Sequence, residues 1–176
     1  TTFSGTTGND TVVGGAALDT LTGVQLDVGQ CFVGGTLVGG QCREYDSIGV
    51  NEQDVLIGGP GIDTFELGRA PGGRAFVNFL AFYQGGGESD FARIENFEPG
   101  RDRLLVAGQL GAPDILAPGV EFETSPEGVK VYSIDNVGVG VPTSRDLVAI
   151  IAGIGDPNDV LNSTTFINSQ NQFAMT

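Results

Sequence analysis

The stretch Gly58-Gly59-Pro60-Gly61-Ile62-Asp63-Thr64-Phe65-Glu66 decides how this chain reads. Its first six residues hold three glycines and a proline, residues that turn a backbone, and end on an aspartate. The last three alternate polar, apolar, polar, as a short strand with one buried face does. Just upstream, Gly49-Val50-Asn51-Glu52-Gln53-Asp54-Val55-Leu56-Ile57 keeps the outline, with Asp54 and Leu56 in the places of Asp63 and Phe65. A second pair stands near the start: Gly5-Thr6-Thr7-Gly8-Asn9-Asp10-Thr11-Val12-Val13, then Gly14-Gly15-Ala16-Ala17-Leu18-Asp19-Thr20-Leu21-Thr22. Within each pair the aspartates recur at a period of nine.

Each block has the same logic. Six residues turn, with glycine where the backbone needs positive φ, and three extend. The middle strand residues are Val12, Leu21, Leu56 and Phe65, all large and apolar, as a stacked core requires. One coil uses two blocks, so turns two blocks apart stack. If residues 24–48 loop out, the turn at 5–10 stacks on 49–54 and the turn at 14–19 on 58–63. That sets Asp10 beside Asp54 and Asp19 beside Asp63. Glycine turns leave backbone carbonyls open, and aspartate adds anionic oxygen. Calcium, a hard cation, takes about six to eight oxygens at ~2.3–2.6 Å. The candidate metal ligands are therefore Asp10, Asp19, Asp54 and Asp63, with the turn backbone at Gly5, Gly8, Gly14, Gly58 and Gly61. Asp102, after Pro99-Gly100-Arg101, reads first as a turn former and only second as a ligand, as do Glu88 and Asp90 after Gly85-Gly86-Gly87.

Composition points the same way. Glycine is 29 of 176 residues without a period of three, and 40% of residues are hydrophobic, which excludes collagen and argues against disorder. The net charge of −14 repels itself, and bound divalent cations relieve that repulsion. The same charge excludes nucleic acid as a partner. No run of ~18 apolar residues exists to span a membrane. Histidine is absent, which removes the commonest general base and every Ser-His or Cys-His arrangement. The chain reads as no enzyme. Cys31 and Cys42 bracket a glycine-rich segment within 24–48 and read as a small-loop disulfide of an oxidising compartment. Two free buried thiols are the alternative.

Residues 67–176 carry further strand patterns, among them Ala92–Phe97, Arg103–Ala107, Val129–Ile134 and the continuously apolar Leu147–Ile151. Pro113–Leu116 and Pro157–Leu161 each read as one turn of helix. The expected fold is all-β: a calcium-binding parallel β-roll, or β-solenoid, over 1–66 with a disulfide-pinned insertion at 24–48. A β cap over 67–176 continues it.

The blocks resemble the repeats-in-toxin calcium-binding family, whose nonapeptide is G-G-x-G-x-D-x-U-x. Gly58–Phe65 carries the full pattern, Gly5–Val12 has Thr6 at the second glycine, Gly14–Leu21 has Ala17 at the third, and 49–57 keeps Gly49, Asp54 and Leu56. The order of Asp63–Gly68, Asp90–Phe97, Gly100–Leu104 and Leu147–Ile151 is similar to the C-terminal region of cyanobacterial haemolysin-type calcium-binding proteins. The resemblance implies calcium as cofactor, type I export, and a secreted, extracellular or cell-surface location. It leaves two functional expectations. One is an extracellular structural protein that calcium folds and that self-assembles as a homo-oligomer or polymer, in filaments or a surface layer. The other is a calcium-triggered folding and secretion module of a larger toxin, enzyme or adhesin.

Overall fold

A computed structural model describes residues 1–27, 30–33, 36–41, 44–45, 49–69, 80–113, 118–134 and 144–167, as backbone course only within 26–45 and at Leu80. The strands in chain order are β1 (Thr2–Ser4), β2 (Thr11–Val13), β3 (Asp19–Thr22), β4 (Leu26–Asp27), β5 (Gln30–Val33), β6 (Thr36–Gln41), β7 (Glu44–Tyr45), β8 (Gln53–Ile57) and β9 (Asp63–Glu66). They continue as β10 (Gly68–Arg69), β11 (Leu80–Ala81), β12 (Phe91–Glu95), β13 (Arg103–Ala107), β14 (Gln109–Leu110), β15 (Gly119–Ser125), β16 (Gly128–Ile134) and β17 (Arg145–Ala152). The helix α1 (Pro157–Leu161) and β18 (Thr164–Ile167) complete the described order. The protein is all-β, built on two main sheets with parallel strands.

A five-stranded sheet runs β1-β3-β9-β13-β18, and all its neighbours are parallel. A seven-stranded sheet runs β14-β15-β16-β17-β12-β8-β2, parallel from β2 through β17. Beyond β17, the antiparallel β16 and β15 and then β14 extend it. The chain thus alternates between sheets: β2 in one, β3 in the other, β8, then β9, β12, then β13, β17, then β18. Each alternation turns at an edge, so one apolar face of each sheet is buried against the other.

Register explains that interior. Val12 pairs with Leu56, Leu56 with Ile94, and Ile94 with Ile151. In the other sheet Phe3 pairs with Leu21, Leu21 with Phe65, and Phe65 with Leu104. In-register parallel strands put like residues above one another, so one inward position per strand builds a continuous apolar column. Val12, Leu21, Leu56 and Phe65 are all buried in a single cluster with Ile94, Leu104 and Ile151. The ring of Phe97 lies 5.8 Å from that of Phe65.

The nonapeptide pattern ends at Glu66, but the parallel pairing does not. β12 stacks on β8 and β13 on β9 with no nine-residue spacing to announce them. β17 is covered on both faces. Val148, Ala149 and Ile151 join the main core, while Leu147 and Ile150 pack with Tyr132 and Phe91 on the other side. A strand buried on both faces reads as an unbroken apolar run. At α1, Asp156 caps the helix by accepting from the Asn158 amide, and Pro157 opens it.

Between β3 and β8 the backbone leaves the sheets as antiparallel pairs, β4 with β7 and β5 with β6. Cys42 and the Cys31 side chain lie outside the described residues, as do Asp46, most of Pro113–Leu116 and the side chains of Asp27 and Glu44. Among the described residues no helix is long and apolar enough to cross a membrane.

Candidate functional site

The turns before β3, β9 and β13 stack along one edge, where the chain enters the five-stranded sheet. Asp19 and Asp63 are register partners there. Each turn is tied by its own aspartate, which accepts the amide of the residue four positions earlier. Gly15 N–H donates to Asp19 Oδ2 (2.6 Å), Gly59 N–H to Asp63 Oδ2 (2.8 Å) and Glu98 N–H to Asp102 Oδ2 (2.8 Å). The turn before β2, on the other edge, repeats the device: Thr6 N–H donates to Asp10 Oδ2 at 2.6 Å. Aspartate suits this position because its short carboxylate reaches back into its own turn.

The second carboxylate oxygen links coils. Asp10 N–H donates to Asp54 Oδ1 (2.8 Å), and Asp63 N–H to Asp102 Oδ1 (2.9 Å). The structure therefore brings together Asp10 with Asp54 and Asp19 with Asp63, each pair on its own edge. It adds Asp102 to the second column, a residue whose sequence context reads first as a turn former and only second as a ligand.

One oxygen breaks the pattern. Asp63 Oδ1 should accept the Asp19 amide, yet it is buried and closes no hydrogen bond of ordinary geometry. Asp63 is fully buried, and among the described residues no cationic group pairs with it. Burial raises its pKa above the usual carboxylate value, and the charges of Asp102 and Asp19 push the same way, while the Gly59 amide and, more weakly, the Asp19 amide oppose them. A buried carboxylate oxygen without a partner carries a desolvation cost that a bound cation would offset.

The surrounding backbone supplies the other donors. A Cβ on Gly59 would fall on the Gly15 carbonyl oxygen, and one on Gly61 on the Ala17 carbonyl oxygen. These carbonyls of one turn therefore point at the glycines of the next. Gly14 and Gly58 sit one residue earlier in the same two turns, Gly14 close to the Gly59 amide. Among the described residues no three acidic or cysteine side chains gather as a metal-binding group. A cation at this step must draw on backbone oxygens as well as on Asp19 and Asp63. All are hard oxygen donors, the kind calcium takes.

At the other edge Asp54 is differently held. Its Oδ1 accepts the Asp10 amide and its Oδ2 accepts the Tyr83 hydroxyl at 2.6 Å. Burial raises the Asp54 pKa while the Tyr83 hydrogen bond opposes that; burial and the Asp54 charge hold the Tyr83 hydroxyl well above its usual value. Tyr83 reaches this place because Gly23 and Gly49 leave room, since a Cβ on either would strike it. Gly5 lies against the Gly23 carbonyl, and Gly8, at φ +106°, faces open space. Replacing Tyr83 by phenylalanine is expected to leave Asp54 Oδ2 buried without its donor. The expected loss is about 1–3 kcal/mol of stability, read by denaturant unfolding.

Further along this edge lies Asp90, fully buried, whose Oδ2 accepts the Asn51 amide at 3.2 Å. Its Oδ1 is likewise buried without a hydrogen bond of ordinary geometry. Asp146 follows, accepting Gly87 N–H at 2.9 Å. Asp90, Asp102, Asp146 and Tyr83 had no place in the periodic reading. The available signal was an aspartate shortly after glycine or Pro-Gly, as in Gly85-Gly86-Gly87 to Asp90 and Pro99-Gly100 to Asp102.

Compared with known proteins, the chain matches no protein-family model and no curated relative.

Proposed function

We propose that this chain is a calcium-binding β-roll of the repeats-in-toxin kind, folded by calcium outside the cell. The observation that carries the reading is Asp63 Oδ1. It is a buried carboxylate oxygen without a hydrogen bond of ordinary geometry, at a step where two aspartates pair in register and carbonyls of one turn lie against glycines of the next. The residues that would hold the ion are Asp19, Asp63, Gly15 and Ala17, the last two through their backbone oxygens. The ion would supply positive charge between stacked turns that otherwise set carboxylates against each other. The net charge of −14 gives it a further role, because an ion bound to the folded state alone stabilises that state by mass action. Calcium is scarce inside cells and abundant outside, so such a chain folds after export.

End-to-end assembly of this roll is supported by its sheet order. Among the described residues β1 is the outer strand of the five-stranded sheet and β2 of the seven-stranded one, with Val13 of β2 55% and Leu18 66% exposed. A strand edge that pairs with the far end of a second copy makes a head-to-tail contact that does not close, which grows fibres.

Sedimentation velocity on calcium-stripped protein, before and after millimolar calcium, tests both. The expected result is a slow, expanded species that becomes compact and then large, and that chelator returns to its start. A compact monomer in calcium keeps calcium-driven folding, removes assembly and favours a folding and secretion module of a larger protein. No change on adding calcium overturns the calcium proposal itself.

A further inference from the structure

Three turns on one edge, 14–19, 58–63 and 98–102, share one backbone device, the aspartate that accepts the amide four residues back. The two steps between them differ in one respect. Among the described residues no side-chain cation enters between 14–19 and 58–63. Between 58–63 and 98–102 stands Arg101. Its Nη2 donates to the Pro60 carbonyl and to the Gly61 carbonyl, each at 2.8 Å, and its Nη1 meets the Glu98 carboxylate. One guanidinium thus gathers two carbonyls of one turn and a carboxylate of the next.

We infer that Arg101 is a resident cation, holding between turns 58–63 and 98–102 the place that a calcium ion would otherwise take. The donors it gathers are those calcium requires: backbone oxygens of one turn and acidic oxygens of the next. A guanidinium stays charged at every working pH and spreads its donors in a fixed fork, so it can bridge several oxygens at once. The second carboxylate oxygen agrees with the assignment. Asp102 Oδ1, at the arginine step, is satisfied by the Asp63 amide, whereas Asp63 Oδ1, at the other step, closes no hydrogen bond of ordinary geometry with the Asp19 amide. Calcium on this edge is then confined to the step between 14–19 and 58–63. That last consequence rests on the calcium proposal above; the role of Arg101 does not.

The test counts calcium equivalents per chain by equilibrium dialysis in the wild-type protein, Arg101→Ser and Arg101→Lys. Emptying the step should let Arg101→Ser bind one additional equivalent. Arg101→Lys, which keeps a cation there, should bind the wild-type number. At calcium too low to fold the wild type fully, Arg101→Ser should be less folded than wild type by circular dichroism, and added calcium should restore it. An equal count in wild type and Arg101→Ser overturns the inference, zero in both included. An Arg101→Ser protein that does not fold in calcium overturns it too, because calcium then fails to replace the guanidinium. The two proposals fail separately. A wild-type count of zero with one equivalent in Arg101→Ser sinks the calcium function and keeps Arg101. A positive wild-type count that Arg101→Ser leaves unchanged does the reverse.

Discussion

Gly59→Ala is expected to abolish the cooperative fold, or to leave it far below wild-type stability. The added methyl would occupy the place of the Gly15 carbonyl oxygen, which belongs to the turn stacked on this one. Overpacking a core side chain typically costs about 1–3 kcal/mol, because neighbouring side chains can move aside. Here the obstacle is backbone, and relieving it means separating two coils. That separation would pull apart the register of β3 and β9, and with it the contact of Leu21 with Phe65. Circular dichroism during thermal unfolding reads the effect. The control is Gly85→Ala, whose Cβ meets nothing, although Gly85 at φ +103° carries its own backbone strain. A Gly59→Ala protein that melts with wild type would show that the two turns do not stack this closely.

Asp63→Asn separates the electrostatic role of this residue from its role in the turn, and two effects of opposite sign are expected. Asparagine still accepts the Gly59 amide, so the turn keeps its tie. It removes a buried charge that Asp102 and Asp19 repel, so at low calcium the variant should keep more ordered β structure than wild type. It also removes the anionic oxygen that calcium would bind. The gain on adding calcium should therefore shrink or vanish, where an intact site at calcium a thousandfold above its Kd contributes about 4 kcal/mol. Circular dichroism of both proteins, at low and at high calcium, gives the comparison. A variant that responds to calcium as strongly as wild type would move the site away from Asp63. One less ordered at low calcium would show that the carboxylate serves the turn and not a cation.

Both predictions concern residues whose local role was legible from the chain alone. Three glycines before an aspartate specify a turn whatever lies above it, and Thr64-Phe65-Glu66 specifies which residue faces inward. The same short-range rules place Val12, Leu21 and Leu56 in the core and bury β17 on both faces. They also end the last loop in a helix capped by Asp156 and opened by Pro157. These preferences act within a few residues, through φ, ψ and side-chain alternation, so contiguous sequence carries them.

What stacks on what has no such local carrier. The nine-residue spacing sets Asp10 beside Asp54 and Asp19 beside Asp63 once residues 24–48 are looped out, but no spacing announces that Asp63 meets Asp102 across 39 residues. The nine-residue rhythm disappears after Glu66, yet β12, β13, β17 and β18 go on adding to the same two sheets, since parallel pairing asks only for an extended segment with an apolar inward residue. Tyr83 on Asp54 and Arg101 on the Pro60 and Gly61 carbonyls follow the same rule. Composition shows an excess of acid. Which carboxylate receives a hydroxyl, which turn a guanidinium, and which is left bare depends on the coil stacked against it. A buried charge is answered by whatever packing brings within about 3 Å, and that neighbour is set by the fold as a whole.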